Sequence, residues 1–211
     1  MDLQKAMNVR MRFNEIQLKI PNSHRLLNTI DTLFCSLKYR DILTAEHSVI
    51  MAEYNYKLAS EFDPGNEDWY YLAALTHDIG KLSMEDNILK GSIKLVGEDR
   101  KILWKHVSQG VEILSELRMP TIIIDIARYH HERFNGSGYL EGLQKMDIPL
   151  CGRISAIADT YSALISGRPY QTNKSTYEAV KIMIKDSHLF DPDILNSFIQ
   201  MLCHEKQPIN S

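Results

Sequence analysis

Along nearly the whole chain, apolar residues return every three or four positions, the spacing that lines one face of an α-helix. Leu26, Leu27, Ile30, Leu33, Phe34 and Leu37 form one stripe. Ile50, Met51, Tyr54 and Leu58, headed by His47, form a second that runs to the Asp63-Pro64-Gly65 stop. Trp69 to Leu82 reads as a strongly apolar helix closing at Gly80 or just beyond. Ile102, Leu103, His106, Gly110, Ile113, Leu114 and Leu117 share a face that Pro120 ends. Ile122 to His131 continues as a buried helix, although Ile122-Ile123-Ile124 also suits a strand. Gly136, Gly138 and Gly142 mark a long loop. Ile154, Ala158, Tyr161 and Ile165 then make a helix closed by Gly167 and Pro169. Ser175-Thr176-Tyr177-Glu178 has the spacing of a capping box, and Asp191-Pro192 supplies an N-cap and an N1 proline for a last helix. With no alternating strand ladder and no internal repeat, the expected class is all-α. Trp69, Trp104, Tyr70 and Tyr71 read as core.

Composition narrows what such a bundle can do. A chain of 211 residues, 44% hydrophobic and 24% charged, is long enough to bury a full core and too apolar for disorder. Its 24 Lys+Arg against 27 Asp+Glu leave a formal charge of −3, which argues against wrapping duplex nucleic acid through bulk positive charge. Any phosphate site must be local. Cys35, Cys151 and Cys203 are odd in number and form no CxxC pair, so they read as buried free thiols of a reducing cytosol. No apolar run approaches the roughly 18 residues of a membrane span, and the N-terminus has no signal-peptide core. A cytoplasmic protein without a membrane partner is expected.

Histidine placement carries the chemistry. Of eight histidines, His47, His77, His106, His130 and His131 lie on apolar helix faces or at helix ends. Any one of them is most simply a hydrogen-bonded core residue. Five, joined by Asp78 and Asp159 in equally apolar surroundings, are too many ionisable groups to bury without a compensating charge. A metal cluster supplies that charge. Imidazole with carboxylate suits Fe, Mn or Zn, and seven ligands exceed one tetrahedral ion but fit two ions sharing a carboxylate. His24, His188 and His204 fall outside this set.

Weaker signals surround it. Asn135-Gly136-Ser137-Gly138 lacks the spacing and ending of a P-loop and reads alone as a turn. Lys81 stands three and four residues after Asp78 and His77, on their side if the helix persists. Arg168, before Pro169-Tyr170, suits helix C-terminal carbonyls as well as a phosphate.

His77-Asp78-Ile79-Gly80-Lys81 resembles the HD signature of metal-dependent phosphohydrolases. His130-His131-Glu132-Arg133-Phe134-Asn135-Gly136-Ser137-Gly138-Tyr139-Leu140 resembles the HHExxDGxGYP signature of the HD-GYP subfamily. The likeness continues through Thr44, His47-Ser48, His106, Asp159 and Arg168-Pro169-Tyr170, and covers roughly Leu26 to Leu202. It implies a helical extension over 1–40, an HD-GYP-type phosphohydrolase domain over 41–205 and a tail over 206–211. It further implies a phosphodiesterase that hydrolyses cyclic di-GMP, a bacterial second messenger, to linear pGpG through a hydroxide bridging two metals, with a second cleavage to GMP left open. By position, His47, His77, Asp78 and Asp159 would hold one ion and His106, His130 and His131 the other, with Asp78 bridging. Fe or Mn would be favoured over Zn, Mg or Ni. Lys81 would contact the scissile phosphate, and Tyr139 and Arg168 would line the dinucleotide pocket. Roughly the first 40 residues are too few for the sensory domain many members carry. Input is therefore expected from a signalling protein or a homodimer, reached through the N-terminal helix.

Four positions depart from the pattern. Leu140 replaces the proline of GYP, Asn135 the usual aspartate, and Gln171 a basic residue. Leu43 stands where some members use a glutamate for a third metal, and leucine has no donor atom, so a binuclear site with Leu43 packed beside it is expected. Two other readings follow from these departures: a phosphohydrolase acting on another cyclic dinucleotide or nucleotide, and a receptor module that binds without turnover. The intact seven-residue set favours the enzyme.

Overall fold

A computed structural model describes residues 3–20, 23–89, 101–166 and 173–205. The described residues are mostly helical and contain no strand. In chain order the helices are α1 (Leu3–Lys19), α2 (His24–Arg40), α3 (Ile42–Phe62), α4 (Glu67–Thr76), α5 (Asp86–Leu89), α6 (Lys101–Glu116), α7 (Thr121–Tyr129), α8 (Leu150–Ser166), α9 (Thr176–Lys185) and α10 (Pro192–Glu205). Short 3₁₀ turns cover Ile79–Ser83, Lys145–Asp147 and Ser187–Leu189.

Helix α4 is the axis of the fold. Tyr70 through Thr76 are all buried, so this helix is apolar on every side and must be surrounded. Helices α3 and α7 pack on it, and α8 closes the layer across α3 and α7. Leu27, Ile30, Phe34 and Leu37 turn the apolar stripe of α2 into the same core. Val9 and Ile16 of α1 are buried against it, and Lys19 pairs with Asp68 at 2.8 Å. The isoleucine run is helix, not strand. Pro120 sets the start of α7, and Ile123, Ile126 and Ala127 form its buried face at helical spacing.

Helix ends follow the local chemistry of the sequence. Ser175 and Glu178 close the capping box at α9, each accepting from the other's backbone N–H. Asp191 Oδ1 accepts from the Asp193 N–H at 3.0 Å, just ahead of Pro192 at the first position of α10.

Three expectations need correction. The helix beginning near Trp69 ends at Thr76 and not near Gly80; His77 and Asp78 form a turn and the chain continues as a 3₁₀ helix. Only Cys151 is a buried thiol, for Cys35 is half-buried and Cys203 exposed on the last turn of α10. Trp104 is half-buried and leaves the core to stack on Tyr139. Gly167, Arg168, Pro169 and Gln171 lie outside the described residues, as does the 206–211 tail.

Candidate metal centre

Five elements deliver the site. His47 comes from the second turn of α3, His77 and Asp78 from the turn ending α4, and His106 from α6. His130 and His131 follow α7, and Asp159 comes from α8. All seven converge in the middle of the bundle. His106, His130 and His131 bring ligand atoms within 4.8 Å of one another, as do His47, His77 and Asp159, and His77, Asp78 and His130. The last trio joins the first two.

Backbone carbonyls aim three of the imidazoles. His77 Nδ1 donates to Ala74 O at 2.7 Å, and His130 Nδ1 to Ala127 O at 2.9 Å. His106 Nδ1 donates to Leu103 O. A carbonyl can only accept, so Nδ1 carries the proton in each ring and Nε2 presents its lone pair to the centre. The Nε2 atoms of His77, His106 and His130 and Oδ1 of Asp78 are buried without a hydrogen-bond partner. Each such group forfeits its hydration, which a folded core does not do repeatedly for nothing. Divalent cations held among these residues would satisfy all four.

The charge balance agrees. Burial would raise both carboxyls, but Lys81 and His77 beside Asp78 outweigh it, as do His47 and His131 beside Asp159, and both acids are held well below the usual carboxylate range. Burial pushes the His130 imidazole down to about 3, with His77 adding to the effect. Burial and His130 together hold His131 well below the ordinary imidazole value. Burial also lowers His106, against the pull of Asp78. At neutral pH the centre therefore offers anionic carboxylates and the neutral imidazoles of His106, His130 and His131, while Asp78 and Asp159 raise His77 against the effect of its burial. That donor set fits divalent ions of the Fe, Mn and Zn kind.

Lys81 reaches the same place by another route than an α-helix. In the 3₁₀ turn, residues three apart eclipse one another, and Lys81 Nζ lies 2.6 Å from Asp78 Oδ2. Its side chain keeps one edge to solvent. Tyr139 stands at the rim, its ring 4.7 Å from that of His131. Asn135 does the turn-forming work of the aspartate it replaces, Oδ1 accepting from the Ser137 N–H at 3.1 Å and the Ser137 hydroxyl at 2.7 Å.

Glu132 is the residue that sequence reasoning left without a role. It is wholly buried, and Oε1 accepts from the N–H groups of Glu141 at 2.8 Å and Gly142 at 3.1 Å. The glycine-rich loop is thereby tied to the two histidines it follows. An acid immediately after His130-His131 was the available signal. Gly138 completes the fit, for a Cβ there would lie 2.4 Å from the Arg133 nitrogen.

Residues 23–194 match the family model described as an HD domain. The chain belongs to the HD-domain family. Among curated relatives, this HD domain is 33% identical over 183 residues to a cyclic di-GMP phosphodiesterase of Thermotoga maritima, covering 83% of this chain and 49% of that protein. It is 32% identical over 199 residues to the 3′3′-cGAMP-specific phosphodiesterase 2 of Vibrio cholerae, covering 92% of this chain and 38% of the relative. The HD domain thus spans half or less of the length of these relatives. Its fold is similar to that of Bd1817, an HDG"Y"P protein from Bdellovibrio bacteriovorus, with TM-score 0.62 and 22% identity over 76% of this chain and 52% of the other.

Proposed function

We propose that this HD domain is a metal-dependent phosphodiesterase that hydrolyses a cyclic dinucleotide, with cyclic di-GMP as the first substrate to test. The observation that carries the reading is the convergence of seven ligand-type side chains, five of whose buried atoms have no hydrogen-bond partner in the protein. Curated relatives named for cyclic di-GMP and for 3′3′-cGAMP support the substrate class. In this reading His47, His77, Asp78 and Asp159 hold one divalent ion and His106, His130 and His131 the second, with Asp78 shared. Bound there, Fe or Mn would supply a Lewis acid for the phosphoryl oxygens and an activated water.

The protein's own groups do the rest. Asp78 and Asp159 stay anionic at neutral pH and give the imidazole cluster its capacity for cations. Lys81, with one edge to solvent beside Asp78, meets the phosphate and offsets charge that grows on its non-bridging oxygens. Tyr139 borders the dinucleotide, and Arg168 is proposed to meet its second phosphate. Hydrolysis adds water across one P–O3′ bond, the 3′ oxygen leaves with a proton, and the product is linear pGpG.

The test is reconstitution with Fe(II) or Mn(II) and chromatography of the products from cyclic di-GMP and 3′3′-cGAMP. Turnover with two tightly held ions per chain is expected. Binding without turnover would mean a receptor, and three tightly held ions would overturn the binuclear assignment that Leu43 implies.

A further inference from the structure

Two aromatic rings extend the site beyond its ligands. Tyr139 lies against His131 at 4.7 Å, and Trp104 stacks on Tyr139 with centroids 4.8 Å apart and planes only 8° from parallel. Trp104 comes from α6 two residues before His106, and Tyr139 from the loop that follows His130-His131. The stack therefore joins both chain segments that bring histidines to one side of the cluster. Neither ring is fully buried: both are half-buried, at the rim and not in the core. A near-parallel pair is the arrangement that presents a flat π-surface to a third ring. Lys101 Nζ sits 5.9 Å from the Trp104 ring and places positive charge beside that surface.

We infer that Trp104, backed by Tyr139, is the stacking residue for a nucleobase of the substrate and so a determinant of its affinity. A nucleotide separates base from phosphate by a single sugar. A phosphate held at the cluster beside His131 leaves its base within reach of rings that begin at His131 and run outward. Stacking is tolerant of base identity because every base has a π-face. The pair thus favours cyclic dinucleotides as a class over phosphodiesters without a base, and it does not by itself separate one base from another. The inference rests on the functional reading above, and its test separates the two.

The chain has two tryptophans, so Trp69→Phe leaves Trp104 as the sole indole emitter. In that background, cyclic di-GMP is expected to quench the emission saturably, while inorganic phosphate does not. Steady-state kinetics on the metal-loaded protein follow. Trp104→Leu, which keeps bulk but loses the π-face, is expected to raise KM for cyclic di-GMP about 5- to 100-fold with a smaller change in kcat. Trp104→Phe is expected to stay within about threefold of the parent, and circular dichroism identifies a variant that has lost its helices. If the parent turns over cyclic di-GMP and Trp104→Leu has the same KM as Trp104→Phe, the stacking role is overturned and the functional reading stands. A parent that neither binds nor cleaves any cyclic dinucleotide overturns both.

Discussion

At the residue scale, Asp78 carries the heaviest duty. Its Oδ2 lies 2.6 Å from Lys81 Nζ and 3.3 Å from His77 Nε2, and its Oδ1 lies 3.3 Å from His106 Nε2. A carboxylate between imidazoles of both groups is the natural bridge, and without it two cations would face each other uncompensated. Asp78→Ala is expected to lower metal content and hydrolysis together by at least a hundredfold in rate while far-UV circular dichroism stays helical. A folded variant with near-parental activity sinks the two-metal reading. Lys81→Ala acts differently. It is expected to lower kcat roughly a hundredfold with metal content unchanged, because in the proposed mechanism its ammonium serves the phosphate and not the ions. Elemental analysis beside kinetics separates the two effects. The seven candidate ligands were legible because ionisable residues on apolar faces have no other cheap explanation. The aim of each imidazole was not, since it depends on which carbonyl lies three or four residues back in a finished helix. Nor was the placement of Trp104 on Tyr139, because a tryptophan at helical spacing looks the same in a core and at a rim.

Among the elements, the join between the 3₁₀ turn and α6 is the tightest. A Cβ on Gly80 would lie 1.9 Å from His106 O and 2.6 Å from the Gly110 nitrogen, both backbone atoms that no rotamer change can move. This close approach sets how far His106 projects toward Asp78. Gly80→Ala is expected to cost about 1–3 kcal/mol in urea denaturation and to reduce metal occupancy, whereas a surface alanine would do neither. Glu132→Ala is the corresponding test of the loop. Two loop N–H groups, only partly buried, would lose their acceptor at about 0.5–1.5 kcal/mol each, and KM for the dinucleotide should rise with Tyr139 released. Equal KM values would show that the loop holds its shape unaided. Boundaries set by side-chain caps, at Ser175 and Asp191, were readable in the sequence. The end of α4 was not. Apolar periodicity runs through His77-Asp78 without a break, and only the fold brings α6 against the 3₁₀ turn that follows. Ile122-Ile123-Ile124 was ambiguous for the converse reason: β-branched residues suit either state until their partners are known.

For the whole molecule, the centre makes stability a function of pH and of metal. In the metal-free protein, His130 titrates near 3 against an ordinary 6.5, and His131 and His106 are also lowered. Each is neutral when folded and protonated when unfolded at mildly acidic pH. A depressed imidazole therefore adds stability above about 6.5 that is lost as pH falls, by up to about 1.4 kcal/mol per group per pH unit. His77 works the other way. Asp78 and Asp159 raise it, so it favours the folded state at pH below its ordinary value. Three lowered groups against one raised leave net destabilisation on acidification from 6.5 downward. The two carboxylates add theirs only below about 4, where the unfolded acids begin to protonate. Ions at the cluster also need neutral imidazoles and hence lose ground in the same window. Thermal unfolding in chelator is expected to show a midpoint that falls between pH 7.5 and 5.5. Manganese at 100 times its dissociation constant should raise stability at pH 7.5 by about 2.7 kcal/mol, and by less at pH 5.5. A chelated protein whose midpoint is flat over that range, or one that manganese leaves unmoved at pH 7.5, would show that the buried imidazoles are satisfied by something other than a cation.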